Sequence, residues 1–339
     1  MQKKLIALAV AAAFAAPALA ETGNVTVYGK VYMTVDQFDD GVAGHGSVTR
    51  INTNASRLGF KGNEDLGDGL KAIFQYEVAV DADGQQGNGF ARGTRNSGAG
   101  LEGDFGKVIA GRWDSPYKVV HNKIELFDNE SAFTSLNVTG HSGGKFYSSR
   151  LSNMVQYWTP KISGLQAAVL YSPDEVRDNV TAPTGTEGNK YIVSTSLTYA
   201  VDALYVSGAY ERRNDQTSVG DADNAFRLAG RYDLGDLWLG AQVESIKTNF
   251  SSTDSNTGFN WEVVGEYKVD DKNRVAASYA NAGSSHATGK AKNDVSQYVL
   301  KLAHAASKRT ELFAAYALKD INETNQKGNA LGVGLIHVF

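Results

Sequence analysis

Polar and apolar positions alternate with a period of two from the first part of the chain onward. Val25, Val27, Val31, Met33 and Val35 fall on one face of an extended segment, and Thr26, Tyr28, Lys30, Tyr32, Thr34 and Asp36 fall on the other. Successive side chains of a strand point to opposite sides, so this segment predicts a strand apolar on one side and polar on the other. The pattern recurs to the end of the chain. Leu70, Ala72, Phe74, Tyr76 and Val78 alternate with Lys71, Gln75 and Glu77; Phe226, Leu228 and Tyr232 alternate with Arg227, Arg231 and Asp233; Phe259, Trp261, Val263 and Tyr267 alternate with Asn260, Glu262, Glu266 and Lys268.

A soluble sandwich also buries one face of each strand and exposes the other. Two features favour a membrane barrel instead. The strands run to about ten residues, the length that crosses a bilayer at a tilt, and a transmembrane barrel carries aromatic girdles at both interfaces. Tyr157, Tyr171, Tyr191, Tyr199, Tyr210, Tyr232, Tyr267, Tyr279, Tyr298 and Tyr316 all fall toward strand ends. Connection lengths then set the topology. Short turns are predicted at Asn63–Gly69, Gly103–Gly106, Thr159–Gly164, Val201–Ala203, Leu234–Asp236, Val269–Asn273 and Ala305–Arg309. Longer polar stretches lie between them, at Asp39–Asn52, Asp81–Ala91, Trp113–Ser149, Ser172–Asn189, Arg213–Asp223, Thr248–Gly258, Ala280–Asn293 and Asp320–Asn329. Seven turns and eight loops join sixteen strands. The prediction is an all-β fold, one domain: a sixteen-stranded antiparallel transmembrane barrel with short periplasmic turns and long external loops, wide enough for an aqueous channel.

Composition changes this picture little. Mean hydropathy is −0.31, which would read as soluble; in a barrel, however, lipid-facing residues alternate with lumenal ones and no window looks hydrophobic. The absence of cysteine among 339 residues removes disulfides, thiolate metal sites and cysteine nucleophiles. Lys3 and Lys4, the apolar run Leu5–Ala16 and Ala18-Leu19-Ala20 form a signal peptide with an A-x-A cleavage site, so residues 1–20 are expected to be removed, leaving 21–339 as the barrel. Its loss takes two lysines and no acid, and the net charge of −4 becomes −6. A mildly acidic chain argues against nucleic acid as a partner.

Several segments resemble the general trimeric porins of Gram-negative bacteria, especially those of β-proteobacteria, over essentially the whole chain. The most specific runs from Ser56 to Ala72 (SRLGFKGNEDLGDGLKA) and is similar to the family's second hairpin. Asp104-Phe105-Gly106-Lys107-Val108 with Gly111-Arg112, Asn153 to Tyr157, Ser307-Lys308-Arg309-Thr310 and the closing Gly332 to Phe339 also resemble family segments. The resemblance implies an outer-membrane homotrimer set in lipid and lipopolysaccharide, passing ions and small hydrophilic solutes, with no cofactor and with Phe339 as the assembly signal. It also implies that the third loop, about 37 residues long at Trp113–Ser149 and beyond ordinary loop length, folds into the lumen. The pore constriction would then set Asp114, Glu125, Asp128 and Glu130 against Lys30, Arg57, Arg92, Arg95 and Arg112, placed toward the lumen by family position or strand parity. Charges facing each other across a narrow, low-dielectric pore tune its selectivity. Gln156 stands where the family often has arginine, and Ile336 and Val338 where it has basic residues; the first departure weakens any strong anion preference.

Other motifs carry less. Gly140-His141-Ser142-Gly143-Gly144 fits a nucleophile elbow, which needs a strand, turn and helix, whereas this is a glycine-rich loop before a strand. Gly98, Gly100 and Gly103 match G-x-G-x-x-G with no helix to follow. Asp81-Ala82-Asp83-Gly84 and Asp221-Ala222-Asp223 lack the oxygen ligands calcium needs, and the six histidines form no H-x-x-x-H pair for zinc. Three functions remain: a passive diffusion pore, an enzyme on a barrel rim, for which no Ser/His/Asp or paired-acid set is visible, and a barrel serving as adhesin or as a sleeve around a partner.

Overall fold

A computed structural model describes residues 24–84, 90–173, 190–215, 221–283, 294–322 and 324–339. The expected leader, most of the Ser172–Asn189 loop and parts of four other external loops lie outside the described residues. Within them the chain forms sixteen antiparallel barrel strands. These are β1 (Asn24–Asp39), β2 (Val48–Thr53 and Arg57–Gly67), β3 (Leu70–Val80), β4 (Ala91–Thr94 and Ser97–Gly103), β5 (Gly106–Asp114), β6 (Arg150–Trp158), β7 (Leu165–Pro173) and β8 (Tyr191–Val201). The second half comprises β9 (Leu204–Asn214), β10 (Ala222–Leu234), β11 (Leu237–Ser251), β12 (Asp254–Lys268), β13 (Asn273–Gly283), β14 (Val295–Ala305), β15 (Thr310–Ile321) and β16 (Gln326–Val338). Each strand pairs with the next, and β1 pairs with β16 from Lys30 opposite Val338 to Asp39 opposite Asn329. The sheet has no open edge, as hydrocarbon requires of backbone groups that water cannot reach.

The alternation read from sequence is the alternation of the wall. Val25, Val27, Val35, Phe226, Leu228, Tyr232, Phe259, Val263 and Tyr267 are exposed on the outside, while Asp36, Glu77, Arg227 and Glu262 are buried inside. Two aromatic rows cross the outer face of β6–β15. Tyr157, Tyr199, Tyr232 and Tyr267 stand near the turn end; Tyr171–Tyr191, Tyr210–Phe226 and Trp261–Tyr279–Tyr298 stand nearer the loop end, with neighbouring rings 4.5–6.1 Å apart.

Among the described residues the expected connections hold in kind, but several are shorter than expected. Strands β11 and β12 run on to Ser251 and restart at Asp254, so Thr248–Gly258 is the head of a long hairpin and not a loop. The strand signal is lost there because, above the bilayer, both faces of a hairpin are polar. Breaks in β2 at Asn54-Ala55-Ser56 and in β4 at Arg95-Asn96 were not foreseen. At the first, Tyr32 N–H donates to Ser56 Oγ (2.8 Å) and Asn54 N–H to the Tyr32 carbonyl (2.9 Å), so the ladder is patched through a side chain. Bulges of this kind re-aim side chains beside functional sites.

The long connection between β5 and β6 lies inside the barrel. Ser115 caps the short helix α1 (Pro116–His121), its hydroxyl accepting from Lys118 N–H, and Pro116 opens the first turn, where no N–H is needed. Farther on, the GHSGG motif makes a two-strand hairpin, His141–Ser142 against Lys145–Phe146, turned by Gly143 and Gly144 at φ +56° and +76°. It is a tight turn, with no helix behind it.

Closure depends on Gly29. Its N–H and carbonyl pair with the Phe339 carbonyl (3.0 Å) and N–H (3.1 Å), and a Cβ there would stand 2.8 Å from the Arg57 carbonyl and closer still to the Phe339 ring. Gly29→Val should therefore abolish the compact, heat-modifiable band that a folded barrel gives in electrophoresis of unheated samples. A normal band for this variant would show that the seam tolerates displacement of Phe339.

Candidate functional site

The lumenal connection is fastened to the wall by apolar contacts and by hydrogen bonds. Tyr117, Val120, Ile124 and Tyr147 pack on Ala209, Ala225, Ala229, Ile246 and Val264 of β9–β12. Phe127 and Phe133 pack on Tyr32, Ala303, Phe313, Ala315 and Ala317. Small inward residues leave room for the loop's aromatics, each contributing about 1.5–3 kcal/mol on burial. The polar anchor is an ion pair with no exposed surface, Arg227 to Glu244 at 2.6 Å. Glu244 also accepts from Tyr117 Oη (2.7 Å), Asn260 Nδ2 (2.6 Å) and Gly140 N–H, while Arg227 donates to the Tyr117 carbonyl (3.0 Å) and Ser148 Oγ (2.7 Å). Removing one partner of such a pair strands a buried charge, at a cost of about 3–5 kcal/mol. Asp223 (to Lys145 and Tyr147), Lys301 (to the Leu126 carbonyl) and Lys319 (to the Asn137 carbonyl) complete the fastening.

This seating places the loop tip against β1–β4. Lys30 and Arg57 face each other in register on β1 and β2, and both reach Asp128 Oδ2 at 2.8 Å. Arg92 and Arg95, on and beside the broken β4, hold Glu130 at 3.2 and 2.8 Å, and Arg95 also bonds Glu77 at 2.8 Å. Asp128 and Asn129 both adopt left-handed backbone, φ +56° and +63°, which asparagine and aspartate tolerate best. Burial would raise the Asp128 carboxyl, but the charges of Arg57 and Lys30 outweigh it and hold the group below its usual range. Asp114 pairs with Lys118 (2.6 Å) and Arg150 (3.1 Å). It lines, with Arg57, Arg95, Arg112 and Glu130, a cavity of about 410 Å³. Arg112 reaches Ser152 Oγ (2.6 Å) and the Thr94 carbonyl (2.9 Å), and no described acid.

Eight of the nine candidate constriction residues thus converge, and Glu125 is the exception. Its carboxylate is buried in the loop itself, accepting from His121 Nε2 (2.7 Å), Phe127 N–H (2.8 Å) and Thr134 Oγ1 (2.9 Å). The tip acids also touch the wall bases, whereas they were expected to face them across open space. Sequence reasoning missed Glu77, Asn96, Lys118 and Arg150 in this cluster. Parity marked Glu77 as lumenal; Lys118 and Arg150 lie on or beside the loop, whose internal fold carries no periodic signal. Gln156 is fully buried, opposite Ile109 and Leu170, and outside the cluster.

A closed sixteen-stranded barrel whose longest loop lines its own lumen with charge is a porin. The chain belongs to the Gram-negative porin family, whose sequence profile matches residues 7–324. A major outer membrane protein P.IB of Neisseria meningitidis serogroup B is 30% identical over 355 residues, with all of both chains covered. An outer membrane porin protein of Bordetella pertussis is 29% identical over 392 residues, again with all of both chains covered. An anion-selective porin from Comamonas acidovorans has the same fold, with a TM-score of 0.81 at 23% identity over 94% of this chain and 100% of that one. Salmonella typhi OmpF, solved with daunomycin, gives 0.69 at 19% identity, covering 94% and 98%. The protein is therefore an outer-membrane porin, a water-filled channel for passive diffusion of ions and small hydrophilic solutes. Its family points to a channel and not to an enzyme, and nothing supports the sleeve or adhesin reading.

The buried His121 gives the loop a pH dependence. Burial would lower its pKa, but the bond to Glu125 and the charge of Glu262 (Nδ1 at 3.6 Å) outweigh it and raise the group above 6.5. Glu125 is held below 4.5, burial being outweighed by His121. A raised histidine stabilises below its unfolded pKa, and that stability is lost as pH rises through the folded value. A lowered carboxylate stabilises above its unfolded pKa and is lost as pH falls through the folded one. The clamp is whole between about pH 4.5 and 6.5. Open-channel current noise should be lowest in that window and rise as pH climbs above it, and His121→Ala should be noisy throughout. Noise in the parent that does not change with pH would contradict the clamp.

Proposed function

We propose that the constriction of this porin is the cluster around Asp128 and Glu130, and that it favours anions weakly. The observation that carries this is the balance of charge. Lys30, Arg57, Arg92, Arg95, Arg112, Lys118 and Arg150 stand against Glu77, Asp114, Asp128 and Glu130, a surplus of three positive charges. Most are neutralised in contact pairs, which shortens the reach of their field and keeps the preference small. Arg112, paired with no described acid, contributes most per charge.

The assembled channel is a homotrimer. The outer faces of β16, β1, β4 and β5 support this reading, for they carry Val, Leu, Ala and Met in place of two aromatic rows, while Phe60, Phe74 and Tyr76 form one cluster beside them. An outer face without interfacial girdles suits a protein neighbour better than lipid. One of the structures with this fold, OmpT of Vibrio cholerae, is described in a trimer form. The belted arc β6–β15 then faces lipid and lipopolysaccharide. The leader of residues 1–20 directs export, and Phe339, paired to Gly29 at the seam, marks the chain for assembly.

Reversal potentials in planar bilayers test the constriction. Arg112→Ala should lower the anion-to-cation permeability ratio about three-fold at low salt, and Asp128→Asn with Glu130→Gln should raise it. Both shifts should shrink as the Debye length falls from about 10 Å at 0.1 M to about 3 Å at 1 M salt. Asp270→Asn, on an exposed turn, should do little. Equal shifts from Asp270→Asn, or none from the cluster, would place the filter elsewhere.

A further inference from the structure

A second lumenal cavity, of about 480 Å³, lies on the external side of the loop tip. It is enclosed by Ser131, Ala132 and Asn137 of the loop and by the loop ends of β14, β15, β16 and β1, and its size suits a small solute. Gly328 lets the chain beyond β1 come close over β16, for a Cβ there would stand 2.9 Å from the Asp39 carbonyl. Asp39 and Asp40 are thereby brought to the cavity. Most charges of the lining already have partners. Arg50 stacks on Phe38, 3.6 Å from the ring centroid, and bonds Asp36 at 2.9 Å; Arg92 holds Glu130; Asp40 pairs with His45 at 2.9 Å. Two have no opposite charge among the described residues. Lys319 donates to the Asn137 carbonyl at 3.3 Å, and Asp39 Oδ1 accepts from Gly41 N–H at 2.8 Å. Gln297, directly opposite Lys319 across β14 and β15, is only 1% exposed. Its Nε2 donates to the Ala132 carbonyl, while its Oε1 has no hydrogen-bond partner among the described residues. A buried acceptor without a donor is a standing cost that a ligand N–H removes.

A cation, an anion and a spare acceptor in one cavity complement a zwitterion. Directly opposed residues stand about 5 Å apart, so Lys319 and Gln297 together suit a carboxylate with a donor on the adjoining carbon. Asp39 stands two strands from Lys319, or about 10 Å, through Gly328 and Asn329 of β16. Its charge marks the side on which an ammonium is favoured. Ala317, Ala330 and Ile321 leave an apolar remainder for a side chain. We propose that this cavity is a binding subsite for α-amino acids entering the pore. The carboxylate sits on Lys319, the ammonium donates to Gln297 Oε1 on the side of Asp39, and an aliphatic side chain lies over Ala317 and Ala330. The site rests on the third loop's place in the lumen and not on the charge preference of the cluster around Asp128 and Glu130, with which it shares Arg92.

Blockade of single-channel current in planar bilayers tests the subsite. Leucine is compared with isocaproate, which lacks the ammonium, and with isoamylamine, which lacks the carboxylate. The channels are the parent, Lys319→Gln, Asp39→Asn and, as control, Lys308→Gln on an exposed turn, each read against its own open current. The parent should bind leucine about ten-fold more tightly than either analogue, each having lost one charged contact. Lys319→Gln should weaken leucine about ten-fold and leave the amine unaffected, whereas Asp39→Asn should weaken leucine and the amine and spare isocaproate. Lys308→Gln should match the parent. A parent indifferent among the three solutes, leucine bound at parent strength by both variants, or an equal loss in Lys308→Gln would each overturn the site. Should Lys319→Gln weaken all three solutes alike, a displaced loop is the cause and Asp39→Asn decides: leucine bound there at parent strength overturns the site, and loss of leucine with the amine supports it. Reversal potentials taken without solute report the cluster's charge preference separately, so either reading can fail alone.

Discussion

Hydrocarbon offers no partner to a backbone N–H or carbonyl, and the architecture follows from that constraint. Strands can satisfy each other only if the last meets the first, so β16 is registered on β1 and the terminal Phe339 is bonded to Gly29. Closure at sixteen strands then fixes a wall with one face for lipid and one for water. It also leaves a lumen too wide to sort small solutes without a second element.

The connection after β5 occupies that lumen, held by complementarity of size and of charge. Alanines on β9, β10, β14 and β15 recede where Tyr117, Phe127 and Phe133 press in. Where the wall is polar, side chains such as Glu244, Asn260, Lys301 and Lys319 meet the loop's own backbone or hydroxyls. A loop bound along its length delivers its tip to a defined place, and there Asp128 and Glu130 meet Lys30, Arg57, Arg92 and Arg95. The same contacts that locate the tip also cancel most of its charge. The cluster is then left with a small positive surplus, concentrated at groups such as Arg112 whose partners among the described residues are neutral.

The wall was legible because a period of two survives in every membrane-spanning segment and because bilayer thickness fixes strand length. Legibility stopped where that pressure stops. Above the bilayer β11 and β12 continue with Thr248, Asn249, Ser255 and Asn256, polar on both faces, and read as loop. The loop's destination came from resemblance, although one local signal was present: inward-parity alanines, Ala225 and Ala229 on β10 among them, are odd choices for a wall that faces only water. Glu125 was assigned to the pore because an acid in that loop looks the same whether it faces solute or its own helix. The spacing of His121 and Glu125, four apart behind a Ser-Pro helix start, was the available sign of an internal pair.

The central claim is that the tip of the third loop lies inside the lumen. A chain without cysteine allows a direct measurement, the reaction of a single cysteine at Asn129 with thiol reagents of graded size, followed by single-channel current. A lumenal tip is expected to react with small reagents, each event cutting the current in one step, and to exclude a large polymer-linked maleimide. Rapid labelling by the large reagent with little change in current would contradict it, placing the loop outside the barrel.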